Sequence, residues 1–211
     1  MQFELQKLTL QSRALATVEA LIEKTLQENP APSTLSAIWR TEVGVLNQLV
    51  LLWSLPHLSV KPNTQQTFKD HLNALCDPYL HDHSSNLWTA ADFSPPLTPR
   101  SIGALYEIRQ YTYTPGKIPE VIQAWEEIIG ERVKHSPLIA AGYREEGPQH
   151  QWIHIWGYQD IMQREQIRRQ VSALGIWPIS VVDRRLQRPP RAVSERMENT
   201  LVVPLHFSPI R

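Results

Sequence analysis

One cysteine in 211 residues, Cys76, excludes an internal disulfide framework and every CxxC pair that a structural zinc or dithiol redox centre needs. A lone thiol also fits a reducing compartment. An excess of one charge is missing as well. Twenty-one Lys and Arg stand against 21 Asp and Glu, so the chain lacks the basic surplus that neutralises a phosphate backbone, and no nucleic-acid partner is expected. No apolar run approaches the roughly 20 residues of a membrane-spanning helix. MQFELQKLTL begins as an alternating strand rather than as a basic and then apolar leader, so the expected location is cytoplasmic, with no membrane partner. There is no glycine-rich loop to cradle a phosphate, and no cofactor is implied. His81-Asp82-His83 has metal-ligand chemistry, but it alternates along a polar segment with no third ligand nearby. It reads as a solvated loop, and no metal site is expected.

Against these absences stands a repeat. Sliding the chain by a single offset pairs Phe3 with Tyr106, Glu4 with Glu107, Leu5 with Ile108, Thr9 with Thr112, Glu42 with Glu145, Gly44 with Gly147, Gln48 with Gln151 and Trp53 with Trp156. Two copies so far apart fit a duplicated domain better than a solenoid, whose units recur every ~20–50 residues. The proline-rich run Ser94–Arg100 lies where a boundary should fall, giving modules over residues 1–97 and 101–211. Phe93-Ser94-Pro95 near the end of the first recurs as Phe207-Ser208-Pro209 near the end of the second.

Within the second copy, Tyr106–Tyr113 is rich in β-forming residues and stops at the turn signal Thr114-Pro115-Gly116. A helix is predicted next, because Pro119 suits a first turn and Ile118, Val121, Ile122, Trp125, Ile128, Ile129 and Val133 recur at helical steps. In the first copy Leu15, Val18, Ile22 and Leu26 keep part of that stripe. Ile139–Glu145 and Gln151–Trp156, parted by Gly147-Pro148, predict a hairpin. Asp160–Leu174 predicts a second helix and Thr200–Phe207 a last strand, while residues 175–199 are too long for a plain connection and carry structure of their own. The order βαββαβ is the ferredoxin-like arrangement, an antiparallel sheet with helices on one face. Its open face must be covered, and two copies can cover each other. The expected fold is therefore α+β, with tandem ferredoxin-like modules forming an intrachain pseudo-dimeric α+β barrel.

The stretches YEIRQYTYTPGK, WEE, KHSPLIAAGYREEG and HIWGY, between Tyr106 and Tyr158, resemble the NIPSNAP family. That family is placed in the dimeric α+β barrel superfamily, together with small antibiotic-biosynthesis-type monooxygenases. The resemblance runs through the second copy to its FSP-type end, and the first copy joins it through the repeat. It implies the same barrel and no established biochemical activity. Animal members are linked to mitochondria through a targeting segment, which the start of this chain does not resemble.

Strand alternation sorts the polar residues by face. Glu107, Arg109 and Tyr111 share one side of their strand, and Trp152, His154 and Trp156 share one side of theirs. If Ile108, Ile153 and Ile155 face the helices, these six point into the barrel and line one space with the makeup of a small-molecule pocket. His154, Glu107 and Arg109 are the catalytic candidates: His154 or Glu107 as proton acceptor, Arg109 stabilising negative charge. Arg109, Tyr111, Tyr143, Trp152, His154 and Trp156 are the ligand-binding candidates. The face of Tyr143-Arg144 stays open, because the pair matches Trp39-Arg40 only after a one-residue shift.

Each has a plainer role: Glu107 in a structural ion pair, Arg109 bridged to Glu107 or Glu145, His154 hydrogen-bonded in the core, and Trp152 and Trp156 as packing. His135 and Ser136 end a helix before Pro137, and Arg164, Arg168 and Arg169 read as a solvated helix face. In the first copy Gln6, Leu8, Leu49 and Leu51 replace Arg109, Tyr111, Trp152 and His154, so any site belongs to the second. The expected function is binding of a small polar or aromatic ligand in the barrel of the second module. The alternatives are a cofactor-independent monooxygenase or isomerase and a protein-interaction scaffold, and a homodimer is compatible with either.

Overall fold

The computed structural model describes every residue except 30, 31, 33, 56–61 and 145–149, with backbone alone for 62–66. The predicted turn at Gly147-Pro148, and with it Glu145, lies outside the described residues. The chain divides into two units. One holds Met1–Trp88, Thr98–Ser101 and Val202–Arg211, the other Thr89–Leu97 and Ile102–Leu201.

In the first unit, strands β1 (Gln2–Leu10), β2 (Leu35–Val43) and β3 (Gln48–Leu55) form an antiparallel sheet with β3 in the middle. The central strand reads QLVLLWSL, almost continuously apolar, as a strand covered on both faces must be. Helices α1 (Leu15–Glu28) and α2 (Pro62–Cys76) cover one face. Val18 and Ile22 of α1 and Leu72 of α2 share a core with Leu8, Leu49, Leu51 and Trp53, all fully buried. Each such aliphatic chain contributes roughly 1.5–3 kcal/mol. Leu15 and Leu26, at the ends of the predicted stripe, are only partly buried. Strand β4 (Leu80–Ala90) follows, with its outer part, His81–Ser85, exposed. The HDH run is thus a strand rather than a loop, and no metal-holding cluster occurs among the described residues.

The second unit repeats the pattern. Strands β5 (Leu105–Tyr113), β6 (Leu138–Arg144) and β7 (His150–Tyr158) form an antiparallel sheet with β7 central. Pairing in β5–β7, Leu105 with Tyr158 through Thr112 with Gln151, is the β1–β3 pairing, Gln2 with Leu55 through Thr9 with Gln48, shifted by 103 at every position. Even the irregularity repeats, between Leu35 and Ala37 in β2 and between Leu138 and Ala140 in β6. The FSP segments have one task in both units. Ser208 Oγ accepts from Ile38 N–H at 2.9 Å, and Ser94 Oγ from Ala141 N–H, the matching position, at 3.0 Å.

Gly116, at φ +83°, makes the turn into α3 (Ile118–Glu126), with Pro119 in its first turn. A short α4 (Ile129–Arg132) continues it. Here the buried stripe departs from expectation: Arg132 is buried and Val133 is 40% exposed. Helix α5 (Ile161–Ala173) starts where Asp160 caps the Gln163 N–H at 2.8 Å. Residues 175–199 hold α6 (Ile179–Arg185) and the start of β8 (Arg196–Pro204), which begins earlier than the predicted Thr200. The longest described helix, α2, is 15 residues, and no described helix is long and apolar enough to cross a membrane.

Candidate functional site in the second unit

Register decides which side chains meet. Glu107 lies opposite Trp156, Arg109 opposite His154 and Tyr111 opposite Trp152, so the six share one face, with Tyr143 also opposite Trp152 on β6. That settles the open orientation: Tyr143 sits on the candidate face and Arg144 on the other, bonded to Gln151 at 2.7 Å. The face itself is not the expected one. Trp125 of α3 meets Trp152 at 5.0 Å and His154 at 4.7 Å between ring centroids, and Arg164 of α5 reaches Glu107. The polar and aromatic face therefore lies beneath the helices, and Ile108, Ile153 and Ile155 take the other. The two isoleucines of β7 misled because aliphatic residues ordinarily mark the helix-covered face, whereas here tryptophans fill it.

Trp125, Trp152, Trp156 and Trp177, with His154 and Phe93, form one aromatic cluster. Each well-oriented pair adds about 0.5–1.5 kcal/mol beyond burial. His154 lies inside it, with no solvent exposure. Its Nδ1 accepts the Trp156 indole N–H at 2.7 Å. An indole only donates, so neutral His154 carries its proton on Nε2, which has no hydrogen-bond partner among the described residues. Burial first, then the nearby Arg109, Arg132 and Arg168, hold its pKa well below the ordinary 6.5.

Beside this cluster sits a charge knot. The fully buried Glu107 carboxylate accepts from Arg164 Nη2 at 2.6 Å, with Arg109 at 3.6 Å and Arg168 at 3.7 Å from the same oxygen. Tyr158 Oη donates to its other oxygen at 3.5 Å. Arg132 donates to Tyr158 at 3.3 Å and to Ser136 Oγ at 2.7 Å, and its guanidinium lies 4.0 Å above the Trp156 ring. Arg164 and Arg168 thus turn inward rather than forming a solvated face, while Arg169 pairs outside with Glu165. Arg132 was missed because a charge inside an apolar stripe reads as an interruption. The signal was its place: Trp125, Ile129, Arg132 and Ser136 fall on one helical face.

Between sheet and helices opens a pocket of about 420 Å³ walled by Tyr111, Tyr113, Trp125, Trp177, Val193 and Met197, with Arg109 and Arg191 also lining it. An adjoining cleft of about 640 Å³ shares Arg109, Tyr111, Trp177 and Pro178 with it and adds Arg168, Arg169 and Glu165. Burial pushes the Tyr111 and Tyr113 phenols up, so both remain neutral donors near neutral pH. Of the sequence candidates, Arg109 and Tyr111 line this space. Glu107, His154, Trp152 and Trp156 lie behind its wall, and Tyr143 is not among the lining residues.

The family model described as NIPSNAP matches residues 106–209. NipSnap homolog 2 of Homo sapiens is 24% identical over 200 residues, 92% of this chain and 68% of that protein, and its counterpart in Mus musculus is 26% identical over 187 residues, 85% and 64%. The chain thus spans about two thirds of the length of these curated relatives. The crystal structure of a candidate monooxygenase from Fusobacterium nucleatum superposes with a TM-score of 0.65 over 97% of this chain and 92% of that one, at 9% identity, a likeness of fold alone. The fold is the mixed α+β arrangement of tandem ferredoxin-like modules seen among dimeric α+β barrel proteins. The matched segment from Tyr106 to Pro209 and the human and mouse relatives agree, and residues 106–209 of this chain are a NIPSNAP-family domain.

Proposed function

We propose that this chain is a small-molecule-binding protein, arisen by tandem duplication, whose second module holds a ligand between its sheet and its helices. One observation carries the reading: the 420 Å³ pocket, mostly apolar in its walls, with Arg109, Tyr111 and Tyr113 among the residues that line it. The corresponding face of the first unit supports it by contrast, since Leu8, Leu49 and Leu51 there pack into a continuous core. The sole thiol, Cys76, buried and unpaired, fits work in the cytoplasm. Relative to the sequence expectation, the ligand lies on the helix side of the sheet rather than on its open face.

A thermal-shift screen of compact aromatic and alicyclic compounds tests this, with Val193→Trp as the pocket-filling variant. Val193 is 66% exposed, so its replacement leaves the core untouched. At least one compound should raise Tm in the wild type and not in the variant. If no compound shifts Tm, or the shifts persist with the pocket filled, ligand binding at this site is wrong.

Catalysis by a cofactor-independent oxygenase or isomerase needs a proton acceptor facing the ligand. His154 presents no free lone pair and Glu107 is held by guanidinium groups, which favours binding over turnover.

A further inference from the structure

We propose that the ligand is an amphipathic anion: a compact apolar body seated against Trp125 and Trp177, ending in one oxyanion, such as a carboxylate, that Arg109 and Arg168 receive. This rests on the pocket reading above and deepens it. The argument starts from charge. Around the Glu107 carboxylate stand three guanidinium groups, and Arg132 makes a fourth through Tyr158. Arg164 makes the close contact at 2.6 Å, whereas Arg109 and Arg168 lie a full ångström further off. These three guanidinium groups share the Glu107 carboxylate, and Arg109 and Arg168 reach it only at long range while being themselves partly buried. A partly buried cation whose counter-charge is distant is incompletely compensated, so the site is poised to take a second anion.

The geometry agrees. Arg109 is 18% exposed and its Nε has no hydrogen-bond partner among the described residues. It lies on the boundary of the two clefts and lines both. One cleft is mostly aromatic and aliphatic, its Arg191 already paired with Asp183 and Glu127, with Val193 and Met197 exposed at its rim. The other carries Arg168 and Arg169 against Glu165 alone. A ligand spanning both must therefore be apolar at one end and anionic at the other. A planar, bidentate acceptor suits guanidinium better than a point charge does.

Two probes with one ring system separate the two ends: 2-naphthoxyacetate, which carries a carboxylate, and 2-naphthoxyethanol, in which a hydroxyl replaces it. Binding to the full chain is measured by titration calorimetry at low salt. The carboxylate should bind about tenfold more tightly than the alcohol, the scale of one charge-assisted hydrogen bond, and the gap should narrow in high salt. Arg168→Gln should narrow the gap by weakening the carboxylate alone, and Arg168→Lys should keep most of it. Arg168 is 35% exposed, so both variants fold. Equal affinities for the two probes overturn the anion inference and leave the pocket standing. A carboxylate preference untouched by Arg168→Gln overturns the assigned receptor. Failure of both probes to bind overturns the inference and the pocket reading together.

Discussion

Glu4 and Glu107 hold matching places in two sheets, opposite Trp53 and Trp156, and their surroundings differ. Glu4 is paired with Lys69 of α2 and accepts from Ser85 of β4, one cation and one hydroxyl for one carboxylate. Next to it Trp53 donates to Gln6 at 3.0 Å, and Gln6 donates to Asn73 at 2.7 Å, a neutral and satisfied chain. Glu107 instead gathers three guanidinium groups, and its neighbouring tryptophan donates to a histidine whose N–H has no partner among the described residues. The same backbone register thus supports a closed polar network in one unit and an open, positively charged one in the other. The lesson is that retention of a carboxylate says little about its task, and what distinguishes the sites is the count of charges around it.

Removing the carboxylate should break the comparison most sharply. Glu107→Gln takes from Arg164, 14% exposed, and Arg109 the carboxylate they share, and loss of one partner from a buried pair costs about 3–5 kcal/mol. Glu4→Gln strands only Lys69, 17% exposed and able to turn toward water, and should cost less than half as much. Urea unfolding midpoints of the two variants measure the difference. Equal losses would mean that the second unit's surplus charge is already neutralised in the protein.

Much of the fold was legible because its signals were local or repeated. Thr114-Pro115-Gly116 marked the turn, the Trp125 stripe marked the helix, and a single offset fixed both registers. The face of the site was not legible, since alternation groups Glu107, Arg109 and Tyr111 without saying which side the helices cover. The companions of Glu107 were hidden for another reason. Arg164 and Arg168 sit 57 and 61 positions along the chain, on a helix whose polar sequence resembles a solvated one, and only folding brings them to the carboxylate. Trp177 and the rim at Val193 lay in the segment to which no element could be assigned.

A second, smaller effect comes from His154, whose counterpart is Leu51. Its folded pKa is depressed by burial, so the unfolded chain binds the proton more readily. The stability contribution is complete above the unfolded value near 6.5 and is lost as pH falls, by about 1.4 kcal/mol for each unit below it while the folded histidine stays neutral. His154→Leu should remove that slope between pH 6.5 and pH 5, at the expense of about 1–3 kcal/mol at neutral pH for the Trp156 N–H left without an acceptor. Unfolding curves across that range decide it. A slope unchanged in the variant would assign the acid sensitivity to another group.

The least effect is expected on the first unit's own ion pair, where Lys69→Gln sharpens the contrast from the other side. The Glu4 carboxylate is 12% exposed where that of Glu107 is fully buried, so solvent screens it more, and the lysine ammonium lies 5.9 Å from the Trp53 ring centroid. Glutamine keeps a donor for Glu4 and much of the aliphatic stem, and Ser85 still donates to the carboxylate. The loss should therefore be about 1 kcal/mol or less, and it should shrink further in 0.5 M salt, where the Debye length falls to roughly 4 Å. If Lys69→Gln proved as damaging as Glu107→Gln, the first unit's polar network would be as dependent on buried charge as the second's, and charge count would no longer separate the two sites.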